Sequence, residues 1–472
     1  MDTIRKTKQK LENHPFWGLI LMVFLTFFLT WVIPAGEYAR YVDPVTGRTL
    51  VDPNSFQYIA RNPAGIAELF TSFYYGFINS AGVMAAVSFV GGAFGVLKGI
   101  GIMDAAVSGL TNRLKNKPFW VFAAVVMIAV AVFNGFTGFR ELDVVFIAMV
   151  IPVCLKMGYD TMTAAGIILV GSAAGFSCAM ANPFFTGIAQ QIAELPMYSA
   201  MWYRGLMTFV FLAIGLVYVS MYAKKVKANP SISFSLSVEE NSRKKFLSES
   251  DSGAEAKILT TREKVAGFAF IVLFVYMIYG CIANGFGFPQ VAGVFFAAAI
   301  VTGIIAGRSL NEICYMFTQG VSDILVAIYI ILFARAILVL MEYSMIIDTV
   351  VHFLSEFVIG GNAVVSAVVM FILQCFINFF VPSGSGQAVI TMPIMVPLSD
   401  MGGITRQVAC LASQLGDGIT NYIYPTNGGL LAVLSVVGLS YKTWFKFAWK
   451  IIGVFIVLCG VFTAIAQLIQ LA

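Results

Sequence analysis

The chain has 472 residues, of which 59% are hydrophobic and only 11% are charged, and its formal net charge is +5. Soluble domains are roughly 45–50% apolar and about 25% charged, so this chain lacks the polar residues with which a soluble protein covers its surface. The composition excludes a disordered chain, a disulfide scaffold and a nucleic-acid binder. It predicts an all-α polytopic membrane protein.

The first apolar segment predicts a retained membrane span. It follows a basic N-terminus and extends from Phe16 to Ala35, which is long enough to cross a hydrocarbon core of about 30 Å. The segment has no small-residue cleavage site of the kind that ends a signal peptide. Further apolar runs lie at 77–98, 119–134, 142–157, 161–181, 203–223, 265–282, 289–307, 322–342, 362–380, 388–399, 404–424 and 445–471.

Two long polar segments, 36–75 and 224–264, interrupt these runs. The second is a linker by composition and separates two similar halves, in which one offset brings Asn182 onto Asn427. Each half contains a span, an amphipathic piece, a span, an apolar arm, a Gly-rich tip, a short arm, an interrupted span and a final span. Such an internal repeat is typical of secondary transporters.

The positions of Lys and Arg predict the orientation. With the N-terminus in the cytoplasm, most of the 29 basic residues lie on the cytoplasmic side, as the positive-inside rule requires. We therefore expect two inverted repeats with about nine full spans and two re-entrant hairpins. The predicted first repeat, 1–223, contains a hairpin at 119–157 that opens to the cytoplasm and a broken span at 161–198. A cytoplasmic linker, 224–264, and a linking span, 265–282, follow. The predicted second repeat, 283–472, contains a hairpin at 362–399 that opens to the exterior and a broken span at 404–440.

Four segments at membrane depth combine Gly or Pro with polar residues. The hairpin tips are NGFTGFREL (134–142) and VPSGSGQ (381–387), and the span interruptions are CAMANPFFTG (178–187) and GDGITNYIYPTNGG (416–429). Non-helical backbone is tolerated at this depth only inside protein or beside a wet cavity. Freed carbonyls suit a cation, and helix N-termini, expected at 142 and 388, suit a carboxylate. We therefore expect these segments to surround one binding site.

Charged side chains within apolar segments mark the same region. Glu141 lies at the first tip, Asp143 follows one residue into the next arm, and Asp417 lies in the second interruption. Ionisable groups inside a membrane are expensive and usually face a cavity or a partner. A carboxylate at a tip favours an amine or a guanidinium group in the substrate.

The two arginines at membrane depth each have alternative interpretations. Arg140 either pairs structurally with its neighbour Glu141 or serves as a counter-charge in the site. Arg335, in the middle of a span, either pairs with Asp323 or Glu342 or is a counter-charge to the site.

The sequence contains no recognisable catalytic or metal-binding motif. The serines of VPSGSG have no His or Lys at a recognisable spacing, and no P-loop pattern GxxxxGK[ST] is present. The chain has two histidines and seven cysteines, without a CxxC pair. We therefore expect no enzyme activity, no metal and no other cofactor, and transport driven by an ion gradient or by exchange.

Three long motifs carry a resemblance to a known family. WVIPAGEY, GYDTMTAAGIILVGSAAGFS…NPFFTGIAQ and VPSGSGQAVITMPIMVPLSD…GDGITNYIYPTNG resemble the YfcC-type basic amino acid antiporters. These belong to the wider family named for the anaerobic C4-dicarboxylate carrier (DcuC-like), within the ion-transporter superfamily. The resemblance implies a homodimeric elevator transporter of the bacterial cytoplasmic membrane, in which hairpins and broken spans slide as a transport domain against a scaffold.

The resemblance also implies the binding residues. The substrate-binding candidates are Glu141, Asn182, Pro183, Thr186, Gly187, Ser383, Gly384, Ser385, Gly386, Gln387, Asp417, Thr420, Asn421, Thr426 and Asn427, with Arg140, Asp143 and Arg335 as possible counter-charges. The first tip departs from the family pattern GMxEE because it reads GFREL. The tips also lack the Ser-Asn-Thr sequence of the sodium-coupled dicarboxylate carriers, so Na+ and H+ both stay open as the coupling ion.

These expectations favour a secondary active transporter of a small amino acid or related carboxylate, most simply an exchanger of basic amino acids such as arginine and ornithine. The first alternative is a sodium- or proton-coupled C4-dicarboxylate carrier, which Arg140 and Arg335 favour and Glu141 and Asp417 oppose. A remote alternative is a membrane-embedded enzyme or sensor subunit. The expected partners are a small-molecule substrate, the lipid bilayer and a second copy of the chain, with no nucleic acid.

Overall fold

Helices make up most of the described chain. A computed structural model describes residues 15–42, 49–52, 55–103, 105–106, 109, 117–247, 259–284, 286–355 and 362–472. The basic N-terminal residues and most of the loop 111–117, which contribute to the predicted orientation, lie outside the described residues.

The helices of the described residues are numbered in chain order. They are α1 Pro15–Val32, α2 Ile66–Ile100, α3 Phe119–Thr137, α4 Asp143–Lys156, α5 Thr161–Cys178, α6 Ile188–Ile192, α7 Met201–Ala228, α8 Leu236–Leu247, α9 Thr261–Ala283, α10 Phe288–Ile305, α11 Leu310–Asp323, α12 Leu325–Tyr343, α13 Ile347–Ser355, α14 Ala363–Phe380, α15 Gly384–Met401, α16 Arg406–Thr420, α17 Gly428–Val437 and α18 Tyr441–Leu468. Four short strands, β1 Gly36–Glu37, β2 Arg40–Val42, β3 Thr49–Val51 and β4 Gln57–Tyr58, form two antiparallel pairs, β1 with β4 and β2 with β3.

The described helices have the length and composition of membrane spans. Eight of them are long and apolar enough to cross a bilayer, and α11 with α12 makes a ninth if the two, bent by 49°, count as one span. The expectation of a polytopic all-α membrane protein is therefore confirmed. Re-entrant hairpins, inverted repeats and the direction of insertion stay predictions.

The two interrupted spans begin in comparable ways. Asp160 caps α5 by accepting a hydrogen bond from the Thr163 N–H at 2.9 Å, and Thr405 caps α16 by accepting one from the Val408 N–H at 3.2 Å. Side-chain oxygens at these positions satisfy N–H groups that a helix leaves unpaired at its start. All residues of α5, and all residues of α16 except Arg406, are buried, so α5 and α16 form the centre of the molecule.

The helices pack as two groups. The first, which we call the α2 group, contains α1, α2, α9, α10, α11 and α12; the second, the hairpin group, contains α3–α7 and α14–α18. Within the hairpin group, α3 and α4 pack on α5 as α14 and α15 pack on α16, and α5 and α16 cross each other. The groups meet where α12 packs on α17 and where α9 packs on α3.

Glycines let the helix backbones within each group approach closely. A Cβ on Gly95 of α2 would lie 2.5 Å from the Met316 carbonyl oxygen of α11. In the hairpin group, a Cβ on Gly171 would lie 2.9 Å from Met127 Cα, and one on Gly416 would lie 2.9 Å from the Cys375 nitrogen. Small residues at helix contacts replace the hydrophobic driving force that lipid cannot supply.

Two predicted boundaries differ from the structure. The amphipathic piece at 67–77 is continuous with the following span in the 35-residue helix α2, because no proline separates them. The segment 224–264, predicted as a linker, includes the end of α7 and the helix α8. Glu239 of α8 accepts hydrogen bonds from the Thr161 N–H at 3.1 Å and its hydroxyl at 2.8 Å, which docks this part of the segment on the start of α5.

The contact between α3 and α5 predicts a cost for enlarging Gly175. A Cβ at this position would overlap the Ala131 carbonyl oxygen, whereas a Cβ on Gly453 of α18 would meet no atom within 4 Å. We expect Gly175→Ala to lower the free energy of unfolding of the purified protein by about 1–3 kcal/mol, and to lower its melting temperature accordingly. Gly453→Ala should be neutral or stabilising, because Ala favours a helix by about 1 kcal/mol. Equal melting temperatures for both variants would contradict this packing.

The predicted orientation can be tested at two exposed positions. Of the seven cysteines only Cys314 is exposed, so Cys314→Ser provides a background of low reactivity. We expect a membrane-impermeant maleimide to label Gln57→Cys in intact cells and to leave Ser231→Cys unlabelled until the cells are opened. The reverse pattern would overturn the predicted orientation.

Candidate functional site

A cavity of about 290 Å³ lies where the two helix groups meet. All four predicted interruptions contribute to its wall. It is lined by Asn79, Ser80, Gly82, Val83, Gly138, Arg140, Glu141, Phe176, Asn182, Phe185, Phe288, Ile331, Ala334, Arg335, Leu338, Pro382, Ser383, Gly384, Ser385, Asn421, Asn427, Gly428 and Gly429. A concave site of this size that is lined by apolar and a few convergent polar groups suits a small molecule.

The first hairpin tip turns at Gly138. The helix α3 continues to Thr137, further than the sequence predicted, and Gly138 then adopts a left-handed φ of 71°. A Cβ there would overlap the Asn182 side chain, so glycine is required both by its conformation and by the close approach of the first interruption. The turn is followed by a short 3-10 helix, Arg140–Leu142, which places Arg140 and Glu141 at the cavity.

The second hairpin tip forms the start of α15. This helix begins at Gly384, whereas the sequence predicted a start at 388, so Ser385, Gly386 and Gln387 belong to its first turn. A helix leaves its first N–H groups without an internal partner, and those of α15 begin at the cavity wall. Gly384 and Gly386 have no positive φ, so a left-handed backbone does not explain either of them.

Close packing against neighbouring side chains explains why position 384 is a glycine, but does not explain Gly386. A Cβ on Gly384 would lie 3.2 Å from Asp417 Oδ2 and 3.4 Å from the Phe185 ring, so this position has little room for a side chain. A Cβ on Gly386 would meet only the side chain of Ser383. Gln387 points into the hairpin, where it donates hydrogen bonds to the Gln374 carbonyl at 3.0 Å and its side-chain oxygen at 2.7 Å.

The first interruption is stabilised by side chains of the opposite half. The helix α5 ends at Cys178, and a π-helical turn, Pro183–Gly187, leads to α6. Gln414 of α16 donates a hydrogen bond to the Phe176 carbonyl at 3.1 Å and accepts one from the Thr186 hydroxyl at 3.2 Å. Thr186 and Gly187 are thus part of the interruption but do not line the cavity.

The second interruption starts later than the sequence predicted. Residues 416–420 remain helical in α16, and the break comprises 421–427. Asn378 of the second hairpin donates hydrogen bonds to the Asp417 carbonyl at 3.0 Å, the Thr420 hydroxyl at 2.7 Å and Asn421 Oδ1 at 3.1 Å. These bonds satisfy polar groups at the end of α16 that have no access to water.

Arg140 is held in place by the second interruption. It donates a hydrogen bond to Asn427 Oδ1 at 2.7 Å, and its guanidinium lies 5.3 Å and 5.6 Å from the ring centres of Phe176 and Tyr422. Both distances suit cation–π contacts. No ion pair within 4.0 Å joins Arg140 to Glu141, so the structural pairing considered from the sequence is not present. Within the described part of the chain, Glu141 makes neither a hydrogen bond nor an ion pair.

The two aspartates lie behind the cavity wall. Asp143 accepts a hydrogen bond from Asn134 at 2.9 Å, and Asn134 also donates to Ser172 at 3.0 Å. Asp417 Oδ2 is buried and has no hydrogen-bond partner among the described residues. Neither aspartate lines the cavity, and Asp417 therefore borders the site instead of facing it as predicted.

Arg335 of α12 lies at the cavity, on the side of the α2 group. The predicted partner Asp323 lies 3.9 Å from Lys98 instead, and Arg335 forms no ion pair within 4.0 Å with any residue of the described ranges, Glu342 included. Its Nε atom is buried without a hydrogen-bond partner. The position agrees with the alternative in which Arg335 is a counter-charge to the site.

The structure brings together half of the predicted site residues. Those at the cavity are Glu141, Asn182, Ser383, Gly384, Ser385, Asn421, Asn427, Arg140 and Arg335. Those behind its wall or elsewhere in the interruptions are Thr186, Gly187, Gly386, Gln387, Asp417, Thr420, Thr426 and Asp143, and Pro183 begins the π-helical turn. Sequence reasoning missed Asn79 and Ser80 of α2, although two adjacent polar residues in an apolar run were a usable signal. It also missed the aromatic residues Phe176 and Phe185.

The described residues contain no group of three His, Cys, Asp or Glu side chains that could hold a metal ion. The polar groups at the cavity are instead two guanidinium groups, one carboxylate, side-chain amides, hydroxyls and backbone N–H groups. Such groups can bind and orient a small charged solute.

Residues 15–468 match the family model described as C4-dicarboxylate anaerobic carrier, DcuC. The chain belongs to the DcuC family. A DcuC-family relative is the Escherichia coli (strain K12) protein named "Putative basic amino acid antiporter YfcC", which is 30% identical over 95% of this chain and 95% of its own length.

Two solved structures are similar to this DcuC-family chain. The YdaH transporter of Alcanivorax borkumensis is 16% identical, covers 96% of this chain and 98% of its own, and has a TM-score of 0.43. MtrF of Neisseria gonorrhoeae, whose description names a class of antimetabolite efflux pumps, is 18% identical, covers 98% of this chain and 97% of its own, and has a TM-score of 0.44.

The tight contact of Gly384 in this DcuC-family site predicts a sharp effect of substitution. We expect Gly384→Val to abolish uptake, because its side chain would meet Asp417 and Phe185, while the purified variant remains folded and keeps the size of the wild type. Gly386→Ala, whose Cβ would meet only the Ser383 side chain, is the control and should retain uptake. Normal uptake by Gly384→Val would show that the second tip does not form the site.

Proposed function

We propose that the protein is a secondary active transporter of a small amino acid or related carboxylate. The proposal is based on the cavity, in which a carboxylate (Glu141) and a guanidinium (Arg335) without ion-pair partners face the same space as the two tips and the two span interruptions. Charged groups at membrane depth are retained for binding or for coupling. Broken helices that meet at one polar site are typical of secondary transporters.

The division into two helix groups supports an elevator mechanism. In the proposal the hairpin group is the transport domain and the α2 group is the scaffold. The cavity has walls from both, since Glu141 belongs to the first and Arg335 to the second. Rigid-body displacement of one packed unit against another is a common means of alternating access.

Exchange or an ion gradient would supply the energy, with Na+ or H+ as the coupling ion. The proposal further places the protein in the cytoplasmic membrane as a homodimer with its N-terminus inside, as predicted from the sequence resemblance and the distribution of basic residues.

The names of relatives suggest two substrate classes. The name of the E. coli relative points to basic amino acids, and the family description points to C4-dicarboxylates. Arg140 and Arg335 both line the cavity. This observation favours the second class, the C4-dicarboxylates, because two guanidinium groups can bind two carboxylates.

Counterflow in proteoliposomes tests the proposal. Vesicles preloaded with unlabelled amino acids or dicarboxylates should transiently accumulate at least one labelled member of these classes. Glu141→Gln should raise the half-saturating concentration of an amino-bearing solute about ten- to a hundredfold, since a hydrogen bond to a charged group contributes about 1.5–3 kcal/mol. Glu240→Gln, on the exposed surface of α8, is the matched control. Absence of counterflow for every solute would refute the proposed function.

A further inference from the structure

The unpaired guanidinium of Arg335 indicates what kind of group is missing from the cavity. An arginine offers five N–H donors in a planar fork that matches a carboxylate. No such donor of Arg335 is satisfied within the described ranges, and its Nε is buried. A cation is expensive to keep unpaired at membrane depth, so a ligand carboxylate is the group that would complete this side of the cavity.

Glu141 indicates a second and opposite requirement. It lies on the hairpin-group side, and its neighbour Arg140 is directed towards Asn427 at 2.7 Å. The Glu141 carboxylate therefore remains available to a cationic group of the ligand. An ammonium group fits because it is compact and donates up to three hydrogen bonds.

The second arginine decides between the possible substrates. Arg140 also lines the cavity of about 290 Å³, so the wall carries two guanidinium groups and one carboxylate. A basic amino acid would place its second cationic group near these arginines, and like charges at short range repel. A dicarboxylate without an amine would leave Glu141 unpaired and close to the ligand's own negative charges.

We infer that the substrate is an acidic amino acid, with one ammonium group and two carboxylates; this inference rests on the function proposed above. The ammonium group binds Glu141 and one carboxylate binds Arg335. The other carboxylate lies near Arg140 and the first N–H groups of α15, with Asp417 behind Gly384 and outside the cavity. This assignment leaves no charged group of the ligand or the cavity wall without a partner.

Competition in counterflow tests the substrate class with the full chain in proteoliposomes. Unlabelled L-aspartate, L-glutamate, succinate, L-arginine and L-ornithine are added to vesicles that exchange labelled L-glutamate or L-aspartate. We expect an acidic amino acid to compete at least tenfold more strongly than succinate or the basic amino acids. Ligand-dependent increases in melting temperature, which follow from binding to the folded state alone, should rank the same solutes in the same order.

Variants of Arg335 test the residue that the inference depends on. Arg335→Gln should weaken binding of the acidic amino acid about ten- to a hundredfold. In this variant L-glutamine or L-asparagine should compete as strongly as the corresponding acidic amino acid. Arg335→Lys, which keeps the charge, should recover part of the preference. Arg243→Gln in α8, whose native side chain pairs with Glu239 at 3.2 Å, is a matched control and should behave as wild type.

The outcomes separate the inference from the proposed function. Exchange of arginine, ornithine or succinate in preference to acidic amino acids would overturn the inference and leave the transporter function intact. So would an unchanged substrate order in Arg335→Gln, with the variant's melting temperature showing that it is folded. If no solute of any class is exchanged or stabilises the protein, the proposed function fails and the inference fails with it.

Discussion

Every backbone N–H and C=O group inside a membrane needs a partner from the protein or from a wet cavity, and the centre of this molecule is arranged around that constraint. Except for Arg406, all residues of α5 and α16 are buried, and both helices stop inside the protein. Groups freed at their ends are satisfied by side chains from the other half of the chain, as when Gln414 donates to the Phe176 carbonyl at 3.1 Å. Polar residues in α16, such as Gln414, are thus needed for the fold whether or not they also contribute to binding.

The two helix groups form opposite walls of the site. Glycines such as Gly171 and Gly416 bring the hairpin arms onto the interrupted helices at backbone contact, so the tips and interruptions form one packed unit. The α2 group closes the cavity from the other side and contributes Arg335. A ligand that binds both Glu141 and Arg335 would bridge the two groups, which links substrate binding to their relative position.

Much of the architecture could be predicted from the sequence, because hydropathy and Gly-Pro clusters report directly on the membrane and on helix breaks. The convergence of the four interruptions followed from the same constraint. Exact helix ends could not be predicted: α15 begins at Gly384 and α16 continues to Thr420, since buried side-chain partners such as Asn378 support polar sequence in a helical form. The hydrogen-bond partner of Arg140 could not be predicted from the sequence either, because Asn427 is distant along the chain and becomes its neighbour only through packing.

The central claim is that the cavity enclosed by the two tips and the two interruptions is where the substrate binds. Protection of a cysteine introduced at Ser385, in a Cys314→Ser background whose other native cysteines are buried, measures this directly. The account predicts that a transported solute at saturating concentration slows modification of the Ser385→Cys thiol by a small thiosulfonate at least tenfold, with no change at Ser231→Cys. An unchanged rate at position 385, in protein that still exchanges the solute, would contradict it.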